Sequence, residues 1–175
     1  QFVDEISVDS EVDFSWLANW RAADAENEFV FEEKLDRANL VRELYLASDQ
    51  NDCIVLGASR LIREADSMAP AKPIAVFSNR GLSGIDGTIA TATGIAIANH
   101  DFFSDHGVDS VGVTRALMGD LTALHDVGSL AFDQQDKDLN LQVIVGNDGG
   151  GTIFETLEIA STIDDQAFDR LFRTR

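Results

Sequence analysis

Two short groups of residues have the types and spacing to hold a hard cation: Gly119-Asp120 and Asn147-Asp148-Gly149, separated by residues 121–146. A carboxylate from Asp120, an amide oxygen from Asn147 and a backbone carbonyl make an all-oxygen set. That set suits Mg²⁺, which takes octahedral geometry at roughly 2.0–2.1 Å and commonly shares its shell with phosphate oxygens and water. A diphosphate would complete the shell, and the metal would supply positive charge that the sequence lacks. A helix opening after Gly119 and the amides of Gly149-Gly150-Gly151 add donors for an anion. The same residues have a plainer reading, in which Asp120 caps a helix and the glycines only turn the chain.

Arg63 and Arg80 form a second set. Each falls shortly after an apolar run, and a guanidinium grips a carboxylate bidentately, each charged hydrogen bond contributing roughly 1.5–3 kcal/mol. The plainer alternative pairs them with surface acids, and Arg60 and Arg115 are read as structural. His125-Asp126 would fit a metal-dependent phosphohydrolase only with further histidines at helical spacing, and only His100 and His106 remain. Gly81, Gly84 and Gly87 miss the Gly-x-Gly-x-x-Gly spacing of dinucleotide sites, and no Gly-x-x-x-x-Gly-Lys loop is present.

The elements that must position these residues can be read from periodicity. Phe14, Leu17 and Ala18, then Leu35, Ala38, Leu40, Val41, Leu44 and Tyr45, recur at three- and four-residue intervals and predict two leading helices within residues 1–50. From residue 53 the pattern changes to strand-length apolar runs, Cys53 to Leu56, Ile74 to Phe77, Val113 to Met118 and Leu139 to Val145, each followed by turn residues and helical sequence. The small-residue stretch Gly84 to Asn99 predicts a buried helix. This alternation implies a parallel sheet covered by helices on both faces. Ligands of such sheets bind beyond the carboxyl ends of the strands, where Gly57-Ala58-Ser59, Ser78 to Gly81, Gly119 to Thr122 and Gly146 to Gly151 all lie.

The chain has 175 residues, enough for one domain with an ordinary core, and no internal linker or repeat marks a second. Thirteen basic against 31 acidic residues give a net charge of −18, which repels nucleic acid and anionic membrane surfaces. It also fits a plain solubility adaptation. The single cysteine, Cys53, excludes an internal disulfide and points to a reducing, cytoplasmic setting. No apolar stretch has membrane-span length, and the start Gln1-Phe2-Val3-Asp4-Glu5 lacks a signal peptide's basic region. A beginning on Gln1 and an end on Arg173-Thr174-Arg175 suggest a piece of a longer polypeptide.

The Gly-Asp pair, the 26-residue gap and Asn-Asp-Gly resemble the cofactor motif of the thiamine diphosphate enzymes. Leu121 and Gly146 stand where that motif usually has a second glycine and a further asparagine. Three longer strings, Ser78 to Ile89, Gly119 to Asp126 and Gly149 to Glu155, are similar to the MenD family of menaquinone-pathway synthases. The likeness is strong over residues 53–158 and thin in the leading helices. It implies the C-terminal diphosphate-binding (PP-type) domain: an α/β, three-layer α/β/α parallel-sheet fold, its core at 53–158 and a truncated tail at 159–175. The family's pyrimidine domain, central domain and final segment would lie outside this chain.

By that resemblance Asp120, Asn147 and the carbonyl of Gly149 match ligands of Mg²⁺ (or Mn²⁺). Gly119, Leu121 and Thr122 belong to the thiamine diphosphate loop, and Ile85 matches the bulky residue that holds the cofactor bent. Ile153, Phe154 and Leu157 match its apolar lining, while Ser59, Arg63 and Arg80 match substrate-contacting positions. The implied reaction decarboxylates 2-oxoglutarate and adds the four-carbon unit to isochorismate, giving SEPHCHC. A homodimer or tetramer with shared active sites is expected, its activating glutamate coming from a partner's pyrimidine domain, so the 175-residue piece alone is expected to be inactive. Two other readings stay open: another thiamine diphosphate carboligase, resembling the acetolactate synthases, and a noncatalytic α/β ligand-binding module.

Overall fold

The computed structural model describes residues 15–26, 36–107, 111–131 and 139–173. Phe14 and Leu35, counted in the helical periodicity, and the acidic start at 1–5 lie outside the described residues. The chain divides into two compact units, residues 1–33 and 34–175. The described part of the first is helix α1, Ser15–Glu26, in which Trp16 and Trp20, four residues apart, meet edge to face at 5.9 Å.

In the second unit, α2 (Arg37–Leu46) begins at Asp36, whose carboxylate accepts the Asn39 amide at 2.9 Å and satisfies one of the donors a helix start leaves open. Strand β1 (Cys53–Leu56) leads to α3 (Arg60–Met68), which ends at Ala69, extended as a residue before proline must be. Strand β2 (Ala75–Ser78) leads to α4 (Thr88–Asp105), and β3 (Thr114–Gly119) to the short α5 (Asp120–His125). A 3-10 turn at Val127–Leu130, strand β4 (Leu141–Gly146), a second 3-10 turn at Thr152–Thr156, and helices α6 (Ile159–Thr162) and α7 (Asp165–Phe172) follow among the described residues.

The four strands are all parallel, in the order β2-β1-β3-β4. Alternation of side chains along them makes two cores. Ile54, Leu56 and Leu117 pack with Val41, Leu44, Tyr45, Leu61 and Ala65 from α2 and α3. Val55, Ala116 and Met118 point the other way, against Ile89 and Ala92 of α4. The result is the three-layer α/β/α arrangement. Each fully buried Ile or Leu here contributes about 1.5–3 kcal/mol relative to exposure.

One expectation shifts. The helix read from Gly84 starts only at Thr88, because Gly87 takes the left-handed conformation (φ +63°) that closes the preceding loop, and it runs on to Asp105. It buries one face, Thr88, Ile89, Ala92 and Ala96, and leaves Ile97 exposed. Strand β2 is a sheet edge with Val76 and Phe77 exposed, whereas β1 is buried throughout. Among the described residues no helix is long and apolar enough to cross a membrane.

Arg115 is structural, as its sequence context suggested. It pairs with Asp52 at the amino end of the sheet, where Asp52 also accepts the amides of Val113 at 2.6 Å and Asp49 at 2.8 Å. Burial pushes the Asp52 carboxyl up, but the two amides and the Arg115 guanidinium outweigh it and hold it below the usual carboxylate range. A group with a depressed folded-state pKa stabilises above its unfolded value, ~3.9 for Asp, and loses that contribution as pH falls through the folded value. Asp52→Asn is therefore expected to lower stability at pH 7 by about 1.5–3 kcal/mol, the worth of hydrogen bonds to a charged partner. The gap from wild type should close as pH drops below ~4, which urea unfolding across a pH series would measure. A gap independent of pH would contradict the assignment.

Candidate functional site

The chain passes from β1 outward to β2, then returns to place β3 on the other side of β1. The loops leaving β1 and β3 therefore part in opposite directions, and a crevice opens between them at the carboxyl ends of the strands. A cleft of about 340 Å³ occupies this position. All four strands contribute to its wall: Ala58 to Leu61 and Arg63 after β1, Arg80, Ser83 and Ile85 after β2, Gly119 to Thr122 after β3, and Gly146 to Phe154 in part after β4.

The register sets the two candidate metal loops side by side, since Gly119 lies opposite Gly146 as the last pair of the β3–β4 ladder. Asp120 and Asn147 are the next residues on each strand. One Asp120 oxygen accepts the Leu121 amide at 2.7 Å, and the other reaches across to the Gly150 amide at 2.7 Å. The Asn147 amide oxygen accepts the Gly149 amide at 3.0 Å. Gly149, Gly150 and Gly151 all have positive φ, +94°, +75° and +71°, a path that glycine follows without strain. Among the described residues no group of three or more His, Cys, Asp or Glu could hold a metal ion. The oxygens that the two adjacent loops carry, one carboxylate, one amide and backbone carbonyls, are of the type that suits a hard cation sharing its shell with phosphate and water. Helix α5 has only six residues and so presents no long helix dipole to the cleft, and the Leu121 amide of its first turn is taken by Asp120.

Four of the chain's thirteen basic residues, Arg37, Arg60, Arg63 and Arg80, line this one cleft of a protein with a net charge of −18. Arg63 sits one turn into α3, its Nη1 donating to the Ser59 carbonyl at 2.6 Å. Ser59 itself has φ +89° and ψ −131°, and Ser83 φ +56°. Non-glycine residues held in such conformations cost about 1–3 kcal/mol and cluster at functional sites. Arg60, read from sequence as structural, lines the cleft and donates from Nη1 to the Thr152 carbonyl at 3.2 Å.

Of the sequence-derived site residues, Ser59, Arg63, Arg80, Ile85, Gly119, Asp120, Leu121, Thr122, Ile153 and Phe154 line the cleft together. Asn147 and Gly149 are not among the lining residues; they flank Asp148, which is. Leu157 does not join them; it lies just past the 3-10 turn and is half exposed. Arg37 was missed. It occupies the inward stripe of α2 with Val41 and Leu44, and a charge at the end of a buried stripe is the signal that sequence offered. Burial opposes its charge, but Glu64 and Asp148 more than offset this and raise the guanidinium above its ordinary value.

No family model matches this chain. It is 54% identical over 138 residues to the 2-succinyl-5-enolpyruvyl-6-hydroxy-3-cyclohexene-1-carboxylate synthase of Clavibacter michiganensis subsp. michiganensis (strain NCPPB 382), covering 79% of this chain and 23% of that protein. The proteins of the same name from Leifsonia xyli subsp. xyli (strain CTCB07) and Nocardia farcinica (strain IFM 10152) are 50% identical over 140 residues and 36% over 167. Those matches take in 80% and 91% of this chain, against 24% and 29% of the relatives. The fold is similar to the X-ray structure of a protein from Mycobacterium smegmatis assigned as a thiamin diphosphate-dependent enzyme. The TM-score is 0.53 at 18% identity, over 67% of this chain and 21% of that one, a likeness of fold alone. The chain spans about a quarter of the length of the curated relatives it matches. Over the segment they share, it belongs to the 2-succinyl-5-enolpyruvyl-6-hydroxy-3-cyclohexene-1-carboxylate synthase family.

Proposed function

We propose that the full-length protein containing this chain is a thiamine diphosphate-dependent SEPHCHC synthase of menaquinone biosynthesis, acting on 2-oxoglutarate and isochorismate. The observation that carries this reading is the convergence, in one cleft at the sheet's switch point, of the Asp120 and Asn147 loops with four arginines. In this reading Asp120, Asn147 and the Gly149 carbonyl would hold Mg²⁺ or Mn²⁺, and the loop of Gly119, Leu121 and Thr122 would receive the diphosphate. Bound thiamine diphosphate supplies the carbon chemistry, decarboxylation and carbon–carbon bond formation, that side chains cannot.

The chain's own residues position the reactants. Arg80 and Arg63 take substrate carboxylates, and Ser59 offers its hydroxyl beside them. Holding two reactants in one orientation is itself a large part of catalysis. Ile85, Ile153 and Phe154 give the cleft an apolar wall where water is displaced and charge interactions strengthen. The residue that activates the cofactor's aminopyrimidine, a glutamate by resemblance, is assigned to another domain of a partner subunit, so the working unit is a homo-oligomer; the single cysteine, Cys53, fits a reducing, cytoplasmic setting.

The test is isochorismate consumption by the full-length protein with 2-oxoglutarate, thiamine diphosphate and Mg²⁺. Arg80→Ala is expected to raise KM for a carboxylate substrate about 10- to 100-fold, the loss of a charged hydrogen bond of about 1.5–3 kcal/mol, with a smaller effect on cofactor affinity. Turnover of pyruvate in place of 2-oxoglutarate, with isochorismate left intact, would replace this reading with that of another carboligase.

A further inference from the structure

Arg37 has no part in the chemistry just described, yet it touches the loop on which that chemistry rests. From the first turn of α2 its Nε donates to Glu64 Oε1 at 2.9 Å, and its Nη1 donates to Asp148 Oδ2. The same Asp148 oxygen accepts the Thr152 hydroxyl at 2.6 Å, and Thr152 is in turn held by Arg60. The three side chains of the Glu64–Arg37–Asp148 chain are 22–26% exposed, too buried to be a fully solvated surface pair.

The segment that follows, Gly149 to Gly151, has no side chains with which to fix its own path. Among the ties that reach it from outside the loop are the Asp120 oxygen on the Gly150 amide and Arg37 on Asp148. Asp148 also lies between two residues assigned to the cation, and its carboxylate would otherwise stand unneutralised beside a bound diphosphate. An interaction that orients a metal-binding loop commonly carries 10–100-fold in metal affinity when removed.

We infer that Arg37 is a positioning residue for the metal and diphosphate site. It fixes the Asn147–Gly149 turn through Asp148 and neutralises that carboxylate, a role that rests on the cofactor reading above. The measurement is calorimetric titration of the full-length protein with thiamine diphosphate in Mg²⁺, well below its unfolding temperature. Arg37→Ala is expected to weaken binding about tenfold or more. Arg37→Lys, which restores charge but not the two-pronged geometry, recovers only part. Asp148→Asn also weakens binding, and the double variant is no worse than the weaker-binding single, because both changes cut one link.

A merely structural Arg37 would lower the melting temperature and leave the affinity in place. Wild-type affinity in folded Arg37→Ala, or losses that add in the double variant, overturns the inference. If Arg37→Ala does not fold, wild-type affinity in Asp148→Asn overturns it. Asp120→Ala is run alongside. Normal binding by that variant sinks the cofactor reading itself, whereas lost binding there with normal binding in Arg37→Ala sinks only the role of Arg37.

Discussion

Asp120→Ala in the full-length protein is expected to weaken thiamine diphosphate binding about a hundredfold or more in the presence of Mg²⁺, which at ~1.4 kcal/mol per decade is ~2.8 kcal/mol. The effect has two sources. The substitution removes the one carboxylate assigned to the cation, in a chain whose charge otherwise repels a diphosphate. It also strips the acceptor from two amides at once, Leu121 at 2.7 Å and Gly150 at 2.7 Å. Each amide left unpaired away from water costs about 1–3 kcal/mol, so the start of α5 loosens from the glycine run. Asp120→Asn separates the sources, since it keeps an acceptor for an amide while removing the charge. Asn at this position is expected to keep the fold, shown by an unchanged circular dichroism spectrum, and still to bind the cofactor poorly. A folded Asp120→Ala protein with wild-type affinity would leave Asp120 as a loop tie only, the plainer reading of that residue.

What the sequence made legible was local. Cys53 to Leu56 is β1 to the residue, and the runs ending at Phe77, Met118 and Val145 each stop within one residue of the strand they mark. An apolar run closed by glycine or serine carries its own boundary signal. The parallel pairing follows from the helices between runs, and with it the rule that places a ligand at the carboxyl ends. The order of strands is not local, and what depended on it was hidden. That β2 would be an exposed edge is decided by β3 returning to the far side of β1, a choice written in no single segment. Arg37 was hidden for the same reason: it lies 111 residues from Asp148, in helices where the family likeness thins. Leu157 failed differently. It is close in sequence to true lining residues, but the 3-10 turn at Thr152–Thr156 ends before it, its backbone turns extended (ψ 154°), and it is half exposed outside the cleft lining.

The stretch after residue 158, read from sequence as a tail, holds the glycine loop in place, and this gives Gly151→Ala a large expected effect. Gly151 has φ +71°, a conformation that costs a side-chain-bearing residue about 1–2 kcal/mol. A Cβ there would also fall 2.0 Å from the Phe172 carbonyl oxygen at the end of α7. That obstacle is backbone, and α7 cannot easily withdraw. It is capped by Asp164 on the Ala167 amide, buries Phe168, stacks Phe172 on Phe154 at 5.1 Å and pairs Arg173 with Glu155. Overpacking of this kind adds about 1–3 kcal/mol, for a combined loss of about 2–5 kcal/mol. The strain can relax by global destabilisation or by α7 lifting from the loop. Calorimetry would detect the first as a lower melting temperature, and limited proteolysis the second as new cleavage within 165–173. Because Phe154 lines the cleft and Phe172 packs against it, either route is expected to weaken diphosphate binding as well. A Gly151→Ala protein with unchanged melting temperature and unchanged protease resistance would mean that α7 does not dock on the glycine loop in solution.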